Sequence, residues 1–201
     1  MPLSDRQLSC RCGQFRASLA AAAPVQHIRC YCRDCQTYAH VLDCADVTLD
    51  ECRGTHILAT VQQYLSFTPD SNSLACISLS ADGPLRWYAK CCDTPIANTA
   101  RSPRFAYVGI VHTCLGGPVA VTAAYGPTRL SLHTKSGRGA VSSGVLDTAA
   151  VMARIMGPVL RARIDGGWKR GPFFVDHARP VSSPRILSPG EREQARRKTF
   201  E

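Results

Sequence analysis

No stretch of the 201-residue chain approaches the roughly 20 uninterrupted apolar residues that a membrane-spanning helix needs. The first residues, Met1-Pro2-Leu3-Ser4-Asp5-Arg6, lack the basic-then-apolar order of a secretory signal. A cytoplasmic protein with no membrane partner is therefore expected. Internal repeats and low-complexity tracts are missing too, and the length suits one sizeable core better than two, so a single domain with a terminal extension is the default. His27, His40, His56, His112, His133 and His177 include no pair at ligand spacing, which makes each an ordinary core or surface histidine. His27, three residues before Cys30, comes nearest to an exception.

Cysteine is abundant instead, with eleven in the chain. A reducing cytoplasm keeps thiols free, so metal ligation is the expected use rather than a disulfide framework, and an odd total leaves one outside any set of pairs. The formal charge of +9 is uneven: residues 1–127 carry 10 basic and 9 acidic side chains, residues 128–201 carry 14 and 6. Four thiolates around a zinc make a unit of net −2 and three make −1, so filling two such sites would bring the chain near +6.

Phe15, Ala17 and Leu19 alternate with polar neighbours, a half-buried strand ended by Pro24. Val25 to Tyr31 reads as a strand delivering Cys30, and Arg33 to Leu42 as a short helix beside Cys35. Thr55–Gln62, Tyr64–Thr68, Ala75–Ser80, Leu85–Ala89 and Phe105–Thr113 are strand-like, with turns at Gly54, Pro69-Asp70 and Asp82-Gly83-Pro84. Beyond Gly126-Pro127 come a basic connector to Ser143, then a helix from Val145 to about Ile164 broken at Gly157-Pro158 and stopped at Gly166-Gly167. Ser188-Pro189-Gly190-Glu191 is a capping box that opens a last helix to Lys198. The fold class is mostly β (α+β), a zinc-stabilised β-sheet domain over 9–127 with a basic, partly helical extension over 128–201.

Three cysteine groups carry chemistry: Cys10-x-Cys12-Gly13, Cys30-x-Cys32-x-x-Cys35 and Cys91-Cys92. Zinc draws four ligands into a tetrahedron, and pairs one or two residues apart at a turn are natural half-sites. Seven sulfurs suffice for one four-ligand site and one three-ligand site with an open position. Three thiols in six residues have no packing rationale. Cys44, Cys52, Cys76 and Cys114 read as buried small hydrophobes.

Cys10-Arg11-Cys12-Gly13, Cys30-Tyr31-Cys32-Arg33-Asp34-Cys35-Gln36 and Cys92-Asp93-Thr94-Pro95-Ile96 resemble, in order and spacing, the glutathione-dependent formaldehyde-activating enzyme / centromere protein V superfamily over about residues 9–112. The resemblance implies a structural zinc on Cys10, Cys12 and Cys92 and a second, active-site zinc on Cys30, Cys32 and Cys35. The chain departs from the family at Ala89-Lys90-Cys91-Cys92-Asp93-Thr94, where the family has C-x-x-C-G-T: Ala89 replaces a ligand and Asp93 a glycine. Cys91 is the substitute, provided the adjacent pair sits on a bend. The departure points to a divergent, bacterial-type branch.

The resemblance implies a carbon–sulfur lyase-like or thiol-adduct enzyme acting on glutathione adducts of small aldehydes, with up to two zinc ions. The rival is a non-catalytic zinc module whose basic tail binds nucleic acid non-specifically, or an acidic protein. Cys32-Arg33-Asp34-Cys35 also fits a redox C-x-x-C, but Cys30 and the missing βαβ context favour metal. Asp34 and Gln36 are either outer-shell groups or an exposed polar pair. Trp87 is expected in the core, and Trp168-Lys169-Arg170-Gly171-Pro172-Phe173-Phe174 anchors the tail or stacks on bases.

Overall fold

A computed structural model describes residues 4–68, 73–141 and 148–200, so the turn expected at Pro69-Asp70 and the helix start expected at Val145 lie outside the described residues. Strands β1 (Arg6–Ser9), β2 (Arg16–Leu19) and β3 (Gln26–Cys30) precede helices α1 (Arg33–Val41) and α2 (Ala45–Thr48). Then come β4 (Thr55–Val61), β5 (Leu65–Phe67), β6 (Leu74–Ser78), β7 (Leu85–Ala89), β8 (Thr94–Thr99) and β9 (Tyr107–Val111). Helix α3 (Gly117–Tyr125), β10 (Leu130–Leu132) and α4 (Thr148–Ile164) follow, then β11 (Phe174–Val175), β12 (Arg179–Pro180), β13 (Arg185–Ile186) and α5 (Pro189–Arg197). The fold is α+β and strand-rich, and no helix among the described residues is long and apolar enough to cross a membrane.

Eight strands form one sheet in the order β10-β3-β4-β9-β8-β7-β6-β13. The six inner strands come from residues 26–111 and pair antiparallel, whereas β10 and β13 close the two edges in parallel register. Residues 128–201, expected as an extension, thus cover both rows of backbone groups that a bare edge would leave unpaired. They also place Phe173 in the core, its ring 5.1 Å from Trp87 and 5.0 Å from Phe67.

The alternating residues of β2 explain the layering. Ala17 and Leu19 point from the small sheet β1-β2-β5 into a core shared with Leu58, Trp87, Ala97, Val108 and Ile110 of the large sheet. The opposite face of the large sheet is covered by helices. Tyr38 of α1 donates to the Trp87 carbonyl at 2.8 Å, and Val151 and Ile155 of α4 pack on Ile28, Ile57 and Ala59.

Helix α4 runs unbroken through Gly157-Pro158, correcting the expected interruption. Val151, Ile155, Val159 and Ala162 form one buried stripe, and its packing outweighs the single backbone bond that proline removes. Gly166, at φ 76°, ends the helix where a left-handed residue was needed. The capping box is formed in full: Glu191 N donates to Ser188 Oγ at 3.2 Å and Ser188 N to Glu191 Oε2 at 2.8 Å.

Candidate metal centres

Two cysteine clusters could hold a metal ion, one on each side of the large sheet: Cys10, Cys12, Cys91 and Cys92, and Cys30, Cys32 and Cys35. In the first, the β1–β2 connection brings Cys10 and Cys12 against the turn between β7 and β8. Gly13 N donates to the Cys10 carbonyl at 3.0 Å with Gly13 at φ 77°, a tight loop that turns both sulfurs the same way. On the other side Cys92 N donates to the Ala89 carbonyl at 3.3 Å and Asp93 takes φ 52°. Aspartate tolerates that left-handed conformation better than most residues, so it stands in for glycine here. A register shift between Trp87 and Tyr88 precedes this turn. The adjacent Cys91 and Cys92 therefore sit on a bend, not on a strand that would point them apart.

The sulfurs of Cys10 lie 3.5 Å from Cys12 and 3.6 Å from Cys91; Cys12 and Cys91 are 3.2 Å apart, and Cys91 and Cys92 3.9 Å. A tetrahedron with metal–sulfur bonds of about 2.3 Å has edges of about 3.8 Å, so the donor set fits a tetrathiolate site after small adjustment. Ala89 is buried and offers no ligand; Cys91 completes the set. Phe15 N donates to Cys10 Sγ at 3.2 Å, and Arg11 ties the two loops through its backbone N to Thr94 Oγ1 and its guanidinium to the Cys92 carbonyl. Burial pushes Cys92 up, but the Thr94 hydroxyl at 3.0 Å and hydrogen bonds from Cys12 and Cys10 outweigh it and bring the thiol down to about 6.

The second cluster is built from one short stretch. Cys30 is the last residue of β3, Cys32 is the N-cap of α1, and Cys35 lies in its first turn, donating its backbone N to Cys32 Sγ at 3.4 Å. No fourth metal-ligating side chain among the described residues joins these three. Cys30 and Cys35 are buried, while Cys32 is half-buried. Hydrogen bonds from the Cys30 and Cys32 thiols lower Cys35 well below the usual thiol range, and the Arg86 guanidinium adds to the effect against burial. The same sharing, with burial, raises Cys30.

Arg86 reaches this cluster from β7, with Nη1 3.8 Å from Cys35 Sγ and 3.2 Å from Asn98 Oδ1. It is 3% exposed, and its nearest carboxylate, on Asp34, is 4.0 Å away and itself exposed. A buried guanidinium needs a counter-charge. Cys35, the thiol of the three whose ionised form is favoured, supplies one. Tyr107 packs on the cluster from β9, and burial raises its hydroxyl so that it stays protonated. Gly109 makes room for it: a Cβ there would lie 2.8 Å from the Tyr107 hydroxyl.

Gln36 is buried and donates Nε2 to the carbonyls of Tyr31 and Ser136, so it is a structural tie rather than an exposed polar residue. Asp34 is exposed. Cys44, Cys76 and Cys114 are buried as expected, but Cys52 is only half-buried. Trp87 is buried, its indole N donating to Thr99 Oγ1 at 2.9 Å.

Histidines that looked scattered in sequence meet behind β3 and β4. His27 Nδ1 lies 2.8 Å from the Gly126 carbonyl and must donate to it, which leaves Nε2 to accept from His56 Nδ1 at 2.9 Å. His112 lies edge-on to His56 with ring centroids 5.8 Å apart and donates Nε2 to the Thr48 carbonyl at 2.9 Å. All three are buried. No local spacing signalled the group, because its members come from β3, β4 and the turn after β9. Arg86 had a signal that went unused, a charge between Leu85 and Trp87 in an apolar strand.

A family model described as Family of unknown function (DUF6151) matches residues 4–181. That span includes both cysteine clusters, Arg86, Tyr107 and the edge strand β10. Comparison with curated proteins gives no match.

Proposed function

The chain belongs to the DUF6151 family, whose description carries no activity, and we propose from the site itself that it is a zinc-dependent carbon–sulfur lyase-like, thiol-adduct enzyme. In this reading Cys10, Cys12, Cys91 and Cys92 hold a structural zinc in a domain of the formaldehyde-activating enzyme type, and Cys30, Cys32 and Cys35 hold a second one. The observation that carries the reading is the convergence of three sulfurs, one half-buried, with no fourth ligating side chain among the described residues. Thiolate-only donor sets suit zinc. A zinc held by Cys30, Cys32 and Cys35 would carry a net charge of −1 and would supply Lewis acidity at an open fourth position, where a thiol or an aldehyde oxygen could bind.

In the proposed reaction a small thiol such as glutathione adds to a small aldehyde. The sulfur electron pair forms the C–S bond, the carbonyl π pair moves to oxygen, and the proton leaving the thiol ends on that oxygen; the reverse is the lyase direction. Arg86 keeps a fixed positive charge beside Cys35 and offsets part of the thiolate charge. Tyr107, protonated and packed on the cluster, is the group to hold the proton at the aldehyde oxygen. Ile28, Ile57, Val151 and Ile155 exclude water from the sheet side. The rival reading, a zinc module with a nucleic-acid-binding or acidic-protein-binding tail, gains no separate support, because residues 128–201 are interleaved with the sheet.

The test joins metal content to turnover. Elemental analysis should give two zinc per chain, falling to one in Cys32→Ala. Exchange of ¹³C-formaldehyde with glutathione, followed by NMR, should be accelerated by the wild-type chain and slowed at least about 100-fold in that variant, the scale of losing a catalytic group. Exchange no faster than without protein would sink the enzyme reading.

A further inference from the structure

Four cations converge on one surface cavity of about 230 Å³: Arg33, Arg53, Lys135 and Arg138, with Thr199 and Phe200 completing the wall and no acidic side chain in the lining among the described residues. They come from the first turn of α1, the turn before β4 and the loop after β10, so the fold and not a local run of charge assembles them. None of the four is in an ion pair among the described residues, whereas nearby Arg29 is paired with Asp50 at 3.3 Å. Like charges gathered around one small space repel one another, and an anion among them removes the repulsion.

The cations are held in place by the protein itself. The Arg33 guanidinium lies 3.8 Å from the centre of the Phe200 ring, and its Nη1 donates to Thr199 Oγ1 at 3.5 Å. Arg53 Nη1 donates to the Lys198 carbonyl at 3.3 Å, from a turn locked by Arg53 N on the Asp50 carbonyl at 2.8 Å. Each of these arginines commits one nitrogen to the protein and keeps Nε and Nη2 without a partner among the described residues. The loop of Lys135 and Arg138 is pinned by Gln36 Nε2 on the Ser136 carbonyl and by Arg138 N on the Cys52 carbonyl, both at 2.9 Å. Gly137 lets that loop lie close, since a Cβ there would be 3.1 Å from the Tyr31 ring. Donors fixed in advance lose little freedom when a ligand arrives.

We infer that this cavity binds the dianionic phosphate of a phosphomonoester. Such a group carries close to two negative charges near pH 7 and offers three acceptor oxygens, and guanidinium forks pair with its oxygens two at a time. A carboxylate brings fewer charges and fewer oxygens to the same four cations. A nucleic-acid backbone spreads single charges along a strand and is followed by a track of cations, whereas these four surround one space. The volume suits a phosphate with the few atoms next to it. The inference goes beyond the thiol-adduct reading and requires neither cysteine cluster.

The test uses glycerol 2-phosphate, a monoester, and dimethyl phosphate, a diester with one charge. Titrated calorimetrically into the full chain at physiological salt, the monoester should bind and the diester should bind at least about tenfold more weakly, the effect of losing a charge-assisted pair. This comparison needs no variant, so a folding defect does not obscure it. Arg33→Gln with Arg53→Gln should weaken the monoester at least about tenfold. Arg154→Gln with Arg163→Gln, on exposed positions of α4, removes the same charge and should leave the affinity within about twofold. Equal affinity for monoester and diester, no binding of either, or equal losses in the two double variants overturns the inference. So does a single-stranded oligonucleotide without terminal phosphates that binds more tightly than the monoester and is lost in the Arg33 and Arg53 variant, because the surface is then a nucleic-acid contact. Where the monoester binds as expected, phosphatidylcholine vesicles containing phosphatidic acid identify its source. Sedimentation of the chain with them, reversed by glycerol 2-phosphate, makes the phosphate a lipid headgroup, and no sedimentation makes it part of a soluble molecule.

Discussion

The two cysteine clusters differ in where their ligands come from and where their surroundings come from. Cys12 and Cys91 are 79 positions apart, so the four-cysteine cluster closes a long loop and fastens the small sheet to the large one. Its supporting contacts are mostly local backbone bonds. The three-cysteine cluster spans six residues and closes almost nothing, yet it is faced by Arg86, Tyr107 and α4 from distant parts of the chain. Long-range ligands make a site that holds the fold together. Local ligands in a long-range setting make a site tuned by its neighbours.

The largest effect should separate these roles directly. On the cross-link model a closed loop of about 80 residues contributes about 4.5 kcal/mol and one of six residues about half of that. Cys10→Ala with Cys12→Ala, which leaves no ligand on the β1–β2 loop, should therefore lower Tm by about 10 °C or more, at 2–4 °C per kcal/mol for a chain of this size, and Cys30→Ala with Cys32→Ala by about half as much. Thermal unfolding followed by circular dichroism measures both. Equal losses would erase the distinction between a closing site and an open one.

A smaller effect should come from acid, acting on the strands that deliver the open cluster. Burial lowers His27, His56 and His112 from the usual range, His56 to about 3, with Arg29 adding to the effect on His56. Arg29 is itself paired with Asp50. The unfolded chain therefore takes up protons first as pH falls. The histidines contribute stability that is fully present above about pH 6.5 and lost toward pH 3. For His56 alone the loss by pH 5 is about 2 kcal/mol. Urea unfolding at pH 7 and pH 5 should show it, and His56→Phe should remove it, while metal release common to both proteins cancels in the comparison. An unchanged pH dependence in the variant would assign acid sensitivity to the thiolates alone.

What was legible in sequence follows the same divide between local and distant. The period-two run around Phe15, Ala17 and Leu19, the Leu85–Ala89 strand, the α1 helix and the α5 capping box are each set by neighbours in the chain, and each stands close to where local patterning put it. Helix α3 was missed because Gly116 and Gly117 look like a loop and only Val121 of the helix is buried, leaving no apolar stripe to see. Strands β10 and β13, of three and two residues, exist only because the sheet edges accept them. The adjacent Cys91 and Cys92 were legible as ligands, but the bend that lets both turn inward needed Asp93 in the left-handed region. The histidine group, assembled from segments far apart in the chain, left no local trace.

The smallest effect concerns α5, which is legible in sequence yet serves the distant surroundings of the open cluster. It packs on α1 and leads to Thr199 and Phe200 against Arg33. Ser188 Oγ satisfies one backbone donor at its start, so Ser188→Ala should cost about 1 kcal/mol, or about 2–4 °C in Tm. The cap lies at the far end of α5 from the Arg33 contacts, so zinc content at both clusters should stay the same. An unchanged Tm would show that the cap contributes nothing to holding α5 on α1. Loss of zinc from the open cluster alone would break the comparison, because it would make that cluster depend on the far end of the chain for its ligands as well as for its setting.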